Sequence, residues 1–394
     1  MELDRIPPIA KYLSAVFMLS RLGRNTVWFF LPIFFKQHID SVFLIGLMTS
    51  VSPIITILLD IPVGNLVQRA GEKIVIFLGL IANLMPGLLY ITAIPALLVT
   101  GKVFEGIVKV MMWNGGWTLS LKSSDEENES ESQSIFLLGV NLAAIIGPMI
   151  GGYLIMTRGF RLPFALWVFS AWLSALVFYL YIGLEGEKGF VESLEELFHR
   201  TTYADDYHHL KANWPSLWFP MLLIFLYSII FSFYWLAVPL LLDNVGASYP
   251  VMGVIFGLAM LPTIFQFLFG EWADRIGRLK LSAILGLLAT PILIAMGSLT
   301  DIYIVGGLFF LAKMLTSGLS PVLHAYYDSC VPDEVEGELT GFLEFAKHVG
   351  QSIGPLMAGT VASIWTINTS FYFAGGIALA LFGLSFYGMR NSKE

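Results

Sequence analysis

Along almost the whole chain, apolar runs of about 20 residues alternate with short polar or Gly/Pro-marked breaks, and each run is long enough to cross the roughly 30 Å hydrocarbon core of a bilayer as a helix. Twelve such runs are expected, over residues 11–35, 42–66, 74–94, 96–120, 134–156, 163–184, 217–242, 249–272, 279–299, 302–327, 341–363 and 370–388. The first is too long for the apolar core of a cleaved secretory signal and is read as the first membrane helix. One long hydrophilic connection, 185–216, lies between the sixth and seventh runs. Its centre, 191–198, places Val191, Leu194, Leu197 and Phe198 on one face, as in a short surface helix. The pattern predicts an all-α membrane protein of 12 transmembrane helices in two pseudo-symmetric six-helix bundles, 1–184 and 217–394, joined by a cytoplasmic linker, 185–216.

Charge placement adds an orientation. Arg5, Lys11, Arg69, Lys73, Lys122, Lys188, Arg200, Lys211, Arg275, Arg278, Lys280, Arg390 and Lys393 fall on one side of the expected membrane, against Lys36, Arg158 and Arg161 on the other. Positive residues stay inside, so both termini are expected in the cytoplasm; the location expected for such a multi-pass chain is the plasma membrane. Composition agrees: 56% of residues are hydrophobic, 13% charged, and the mean hydropathy is +0.75. The net charge of −7 gathers in two acidic loops around 125–131 and 333–338, which argues against a nucleic-acid partner. A single cysteine, Cys330, excludes an intramolecular disulfide and a multi-Cys metal site. The chain lacks H-E-x-x-H, G-x-S-x-G and G-x-x-x-x-G-K, so neither a hydrolase site nor an ATP-driven pump is encoded in recognisable form. No enzyme activity, cofactor or metal is expected, and the surroundings implied are the lipid bilayer, a small-molecule substrate and a monomeric chain.

The two halves repeat. Pro32 and Pro239, Gly46 and Gly253, Gly64 and Gly270, and Gly147-Pro148 and Gly354-Pro355 recur at one offset, 207 residues or one fewer. Features in common register point to an internal duplication. Parallel six-helix repeats are one way to build a transporter with its substrate site near the membrane midplane. Gly115-Gly116 and the stretch from Gly318 to Pro321 interrupt the fourth and tenth helices, as expected of helices that line a cavity.

Motifs sharpen this reading. Gly64-Asn65-Leu66-Val67-Gln68-Arg69-Ala70-Gly71-Glu72-Lys73 follows the second run, and Gly270-Glu271-Trp272-Ala273-Asp274-Arg275-Ile276-Gly277-Arg278 follows the eighth. The second copy resembles the cytoplasmic signature G-x-L-A-D-R-x-G-R-K of the major facilitator superfamily. Its glycines permit a tight turn and close helix approach, and its Asp and Arg form a charge-assisted latch. The first copy has Gln68 in place of Asp, so the latch is expected to be weaker there. Gly139, Ala143, Gly147, Pro148, Gly151, Gly152 and Leu154 fill every position of a pattern that resembles the superfamily's fifth-helix antiporter motif, g-x-x-x-a-x-x-x-G-P-x-x-G-G-x-l. Lys102, Glu105 and Gly106 are similar to the fourth-helix pattern l-x-x-x-R-x-x-q-G, with Lys in place of Arg and Glu in place of Gln. In the family that Arg is linked to proton coupling, a role the resemblance extends to Lys102.

The resemblance implies an alternating-access, proton-coupled antiporter that exports small amphipathic or cationic organic molecules, with the proton gradient as its energy source. A proton symporter or uniporter importing a nutrient is the alternative, and a non-transporting sensor or scaffold a further one. Ionisable groups inside the bilayer cost at least about 2.5 kcal/mol each, so each demands a partner or a function. At about 1.5 Å per residue, Arg24 and Glu105 reach similar depths and are expected to pair. Arg21, one turn nearer the cytoplasm, is matched with Asp60, where relatives in the family carry an acid. Lys102, Glu105 and Lys109 share one face of the fourth helix, Glu344, Lys347 and His348 one face of the eleventh, and Lys313 stands alone in the tenth. His324 and Asp328 are expected at the interface. An acid that alternates between a cationic partner and an apolar surrounding changes its proton affinity, which makes Glu105 and Asp60 the candidate proton carriers. Trp28, Trp113, Trp117, Asn114, Asn141, Phe233, Tyr234, Trp235, Gln266, Tyr326 and Tyr327 are candidate cavity residues, suited to stacking and cation–π contacts.

Overall fold

The computed structural model describes residues 7–124, 129–184, 201–332 and 336–391, and no strand occurs among them. With no water in the bilayer core to satisfy backbone groups, helices that bond internally are the economical solution for apolar runs of this length. They are α1 (Pro8–Trp28), α2 (Leu31–Lys36), α3 (Val42–Ala70), α4 (Glu72–Ala82), α5 (Leu84–Ile91), α6 (Pro95–Lys122), α7 (Glu129–Arg158) and α8 (Arg161–Tyr181). The chain continues with α9 (Thr201–Asn244), α10 (Tyr249–Met260), α11 (Phe267–Ile276), α12 (Arg278–Ser298), α13 (Ile302–Asp328), α14 (Glu336–Ile364) and α15 (Ile367–Asn391). Asp301 caps α13 by accepting from the backbone N–H groups of Tyr303 and Ile304. Gly71, with φ 93°, and Gly277, with φ 96°, each let one helix run directly into the next, a backbone turn that side chains resist.

Several expected runs are broken or displaced. The first run divides at Phe29 and Phe30 into α1 and α2, and the third divides at Asn83, with Pro86 in the turn that follows. The eighth run passes through a 3-10 segment, Leu261–Phe265, and bends by 48°. Pro262 sits there, and its missing N–H disfavours a continuous helix. The seventh helix begins at Thr201, so that residues 201–216, expected as linker, continue into α9 through Pro215 and Pro220. The amphipathic segment 191–198 and the acidic stretches 125–128 and 333–335 lie outside the described residues.

Eight described helical spans, α4 and α5 together making one of them, are long and apolar enough to cross a membrane, or nine with the bent α10–α11 pair counted as one span. Three other long helices, α1, α6 and α14, carry charge within their apolar faces: Lys11, Arg21 and Arg24; Lys102, Glu105 and Lys109; Glu344 and Lys347. Large apolar side chains point outward on many of the helices, among them Leu58, Met156, Leu180, Leu287 and Leu379. That distribution reverses the rule for a water-soluble surface and suits contact with lipid. The protein is an all-helical, multi-pass membrane protein.

The helices form two compact units. The first takes in the described residues of Met1–Leu31, Leu58–His199 and Ser248–Gly257; the second those of Pro32–Ile57, Arg200–Ala247 and Leu258–Glu394. In the first unit α1 packs on α7 and α8, and α4 on α6; Phe17, Leu80, Met112, Phe136 and Phe178 meet in a shared core. In the second, α9 packs on α14 and α15, and α12 on α13, so the pairings of the first repeat recur in the second.

Glycines make the closest of these contacts. A Cβ at Gly139, Gly147 or Gly151 would run into Ser14, Asn25 or the Thr26 carbonyl of α1. On α14, Gly350 and Gly354 meet α9 in the same manner, at Ser228 and at Ile229 and Ser232. The other edge of each motif serves a second neighbour: the Pro148 carbonyl abuts Gly253 of α10, and the Pro355 carbonyl abuts Gly46 of α3. Two repeat-related glycines thus meet two repeat-related prolines. Small residues at four-residue spacing allow such backbone approach in a setting where apolar burial between helices drives little association. Gly64 and Gly270 differ from the expectation, because a Cβ at either would meet nothing within 4 Å. The tight turn expected of the signature's glycines is made by Gly71 and Gly277.

Candidate functional site: a buried carboxylate between two cations

Within the first unit the polar interior centres on Glu105 of α6. Its side chain is almost wholly buried, as is that of Lys102 one turn earlier, and the Lys102 Nζ stands 2.9 Å from Glu105 Oε1. The Tyr90 hydroxyl of α5 donates to the same oxygen at 2.5 Å. On the other oxygen, Oε2, Trp28 Nε1 of α1 donates at 2.9 Å and an Arg24 guanidinium nitrogen at 3.4 Å. One anion therefore faces two cations and two neutral donors. The Arg24 guanidinium also lies over the Trp28 ring at 4.5 Å and near the Trp167 ring at 6.0 Å. Arg21, one turn earlier on α1, lies within reach of the Arg24 charge.

Neighbouring residues hold these groups in place. Gly101 lacks the Cβ that would collide with the Tyr90 ring, so the ring lies against α6 and its hydroxyl meets Glu105 one turn along. Tyr90 packs at a tilt on Phe164 and edge to face on Trp167 of α8. Trp167 Nε1 donates to Asn83 Oδ1 at 3.0 Å, and Asn83 Nδ2 donates to Ser20 Oγ at 2.9 Å. Asn83 stands at the break between α4 and α5, where the third run loses its regular helix. The carboxylate, its donors and the helix break thus belong to one buried polar network, in which each unmade bond would carry a full desolvation cost.

Sequence reasoning brings Arg24, Lys102, Glu105 and Trp28 into view; it does not reach Tyr90, Asn83, Trp167 or Gly101. The available signal was an asparagine in mid-run: a polar group deep in the bilayer asks for a partner. Lys109 and Asp60 are half-buried on α6 and α3. Trp113 and Trp117 stack on each other at 6.2 Å, and Trp117 packs against the core built around Phe17 and Phe136. Asn141 is half-buried on α7, and Gln266 is half-buried at the junction before α11.

In the second unit Tyr234 is buried against Phe233 and Phe309, Trp235 packs edge-on to Phe231, and Tyr326 meets Phe219. Phe233 packs on Phe371, and the Tyr327 hydroxyl donates to the Leu339 carbonyl. Lys347 pairs with Glu344 at 2.8 Å, and His348 stands 3.8 Å from the same acid. Lys313 is buried against Phe231 and Trp235.

An ion pair occurs in each signature loop, at different positions. Asp274 and Arg278 are 3.6 Å apart with the aspartate largely exposed, whereas Glu72 of the first copy, well shielded, pairs with Lys122 at 2.8 Å. Glu72 ties α4 to α6 where Gln68, exposed, makes no ion pair. Arg69 and Arg275 are exposed.

A sequence model described as Major Facilitator Superfamily matches residues 13–220 and 220–394. The chain is 27% identical over 271 residues to the uncharacterized MFS-type transporter YuxJ of Bacillus subtilis, a match covering 65% of each protein. It is 28% identical over 144 residues to the multi-drug resistance efflux pump PmrA of Streptococcus pneumoniae, covering 35% of each. Among solved structures, a bacterial homolog of the human lysosomal transporter Spinster superposes with a TM-score of 0.77 at 13% identity, covering 97% of this chain and 96% of that one. The last likeness is one of fold.

Proposed function

Since the chain belongs to the major facilitator superfamily of transporters, we propose that it is a proton-coupled antiporter that exports small amphipathic organic molecules by alternating access. In this reading all twelve apolar runs span the plasma membrane, with α1, α6 and α14 admitted despite their charges because those charges face protein, and both termini are cytoplasmic. The chain acts as a monomer, and the proton gradient supplies the energy.

The observation that carries the proposal is the shared carboxylate. Glu105 holds Lys102 and Arg24 together and so joins α6 to α1. A proton added to a Glu105 oxygen removes the only formal negative charge that the described residues bring to this point of contact. Lys102 and Arg24 then repel each other without compensation, and the α1–α6 link loosens. Loss of the proton restores it. A protonation event is thereby converted into a change in helix packing, which is what coupling requires, and a ligand that favours one packing shifts the equilibrium by its differential affinity. The complete fifth-helix motif and the partial match to an efflux pump support the antiport direction.

The test is reconstitution of the full chain into proteoliposomes with an imposed pH gradient and a panel of amphipathic probes. Antiport predicts substrate movement opposite to the protons, abolished in Glu105→Gln. Movement with the protons would support the symport alternative and overturn this proposal.

A further inference from the structure

The second unit holds a cation of a different kind. Lys313, in the middle of α13, is 1% exposed. Among the described residues its ammonium has neither a carboxylate nor a hydrogen-bond acceptor; it faces the Phe231 ring at 4.4 Å and the Trp235 ring at 5.1 Å. These rings come from one face of α9 and pack edge to face, 5.4 Å apart. One turn along the same face of α13, the Ser317 hydroxyl is buried and has no hydrogen-bond partner among the described residues. Two donors on one helix face thus stand beside an aromatic wall.

The energetics of this arrangement are incomplete. Contacts with two ring faces recover only part of what burying an ammonium away from water costs, even after relaxation. Most buried polar groups are satisfied, and an exception calls for an explanation. An ammonium already seated on both rings disfavours a cation as their ligand.

We infer that Lys313 and Ser317 bind the carboxylate of an organic anion whose aromatic or apolar body stacks on Phe231 and Trp235. The ammonium supplies the charge-assisted bond, the serine hydroxyl a second donor, and the two rings the contact for the rest of the molecule. The inference rests on the reading of the chain as a transporter and narrows its substrates from amphipathic molecules in general to aromatic carboxylates.

Equilibrium binding to the purified full chain in detergent tests it without a proton gradient, so the outcome is independent of whether Glu105 couples transport. The probes are matched pairs that share a ring and differ in charge: indole-3-acetate with tryptamine, and 1-naphthoate with 1-naphthylmethylamine. The wild type is expected to bind the acid of each pair more tightly than the amine. Lys313→Met should weaken the acids by about tenfold or more and leave or improve the amines, Lys313→Arg should retain acid binding, and Ser317→Ala should weaken it several-fold. If Lys313→Met does not fold, the wild-type preference and Ser317→Ala decide the matter. Equal or tighter binding of the amines by the wild type, or acid affinity unchanged by the substitutions, overturns the inference.

Discussion

Replacing Glu105 by glutamine keeps the volume and hydrogen-bonding shape of the side chain and removes one charge from the centre of a buried cluster. At an effective dielectric constant of 20, the pairs at 2.9 Å and 3.4 Å represent roughly 6 and 5 kcal/mol of attraction before desolvation and the mutual repulsion of the cations are set against them. Removing one partner of a buried pair typically costs about 3–5 kcal/mol, because the charges left behind stay buried. Glu105→Gln is therefore expected to lose about 3–5 kcal/mol, with the Tyr90 and Trp28 bonds surviving in weakened form. Lys102→Met alone should cost less, since Glu105 keeps Arg24, Tyr90 and Trp28. The double variant should be more stable than the sum of the single losses, by about 0.5–3 kcal/mol, because methionine removes a cation that loss of the carboxylate leaves stranded. Thermal unfolding of the four proteins in one detergent measures the cycle. A Glu105→Gln protein within about 0.5 kcal/mol of wild type, or a strictly additive cycle, would refute the claim that this carboxylate organises the α1–α6 contact.

Three further outcomes follow from the packing. Gly151→Ala should destabilise by about 1–3 kcal/mol because its Cβ would enter the Thr26 carbonyl, whereas Gly64→Ala, with open space around it, should be neutral or gain up to about 1 kcal/mol in helix propensity; melting temperatures of the pair measure the contrast. Gly101→Val should push the Tyr90 ring off α6 and break its bond to Glu105, lowering coupled transport in proteoliposomes to near the level of Tyr90→Phe; full activity would show that the bond is dispensable. Lys36→Gln should change stability by less than about 1 kcal/mol although its ammonium is 2.8 Å from Asp243, since both side chains are about a third exposed; a larger loss on chemical or thermal unfolding would assign this pair a greater role than its exposure allows.

The repeat links these results. Because Gly46 meets Pro355 and Gly253 meets Pro148, the fifth-helix motif and its later counterpart each bridge two neighbours, one through glycines and one through the proline carbonyl. The later copy has Ala358 where Gly151 stands, and Ala358 is fully buried, so α14 accommodates a methyl group at a position where α7 does not. Identical spacing in the two halves thus produces contacts of different tightness.

By itself the sequence determined that the chain is helical and lies in a membrane, that its halves repeat, and that small residues on the fifth and eleventh helices bring neighbours close. Those properties depend on local composition and periodicity: an apolar run of about 20 residues has few alternatives to a spanning helix, and glycines at four-residue spacing must share a face. It also reached the Arg24–Glu105 pair, because depth along a helix scales with residue number. Depth and face together also let Lys102 compete with Arg24 for the same acid, whereas tertiary structure alone decided that Tyr90 and Trp28 complete the shell of Glu105 and that Lys313 faces aromatic rings instead of a carboxylate. Those facts depend on which helices adjoin and how each is rotated about its axis. The breaks at Asn83 and Pro262 and the tighter ion pair at Glu72 belong with them, since a bend or an exchange of partner is settled by the groups brought near in space, which spacing along the chain does not encode.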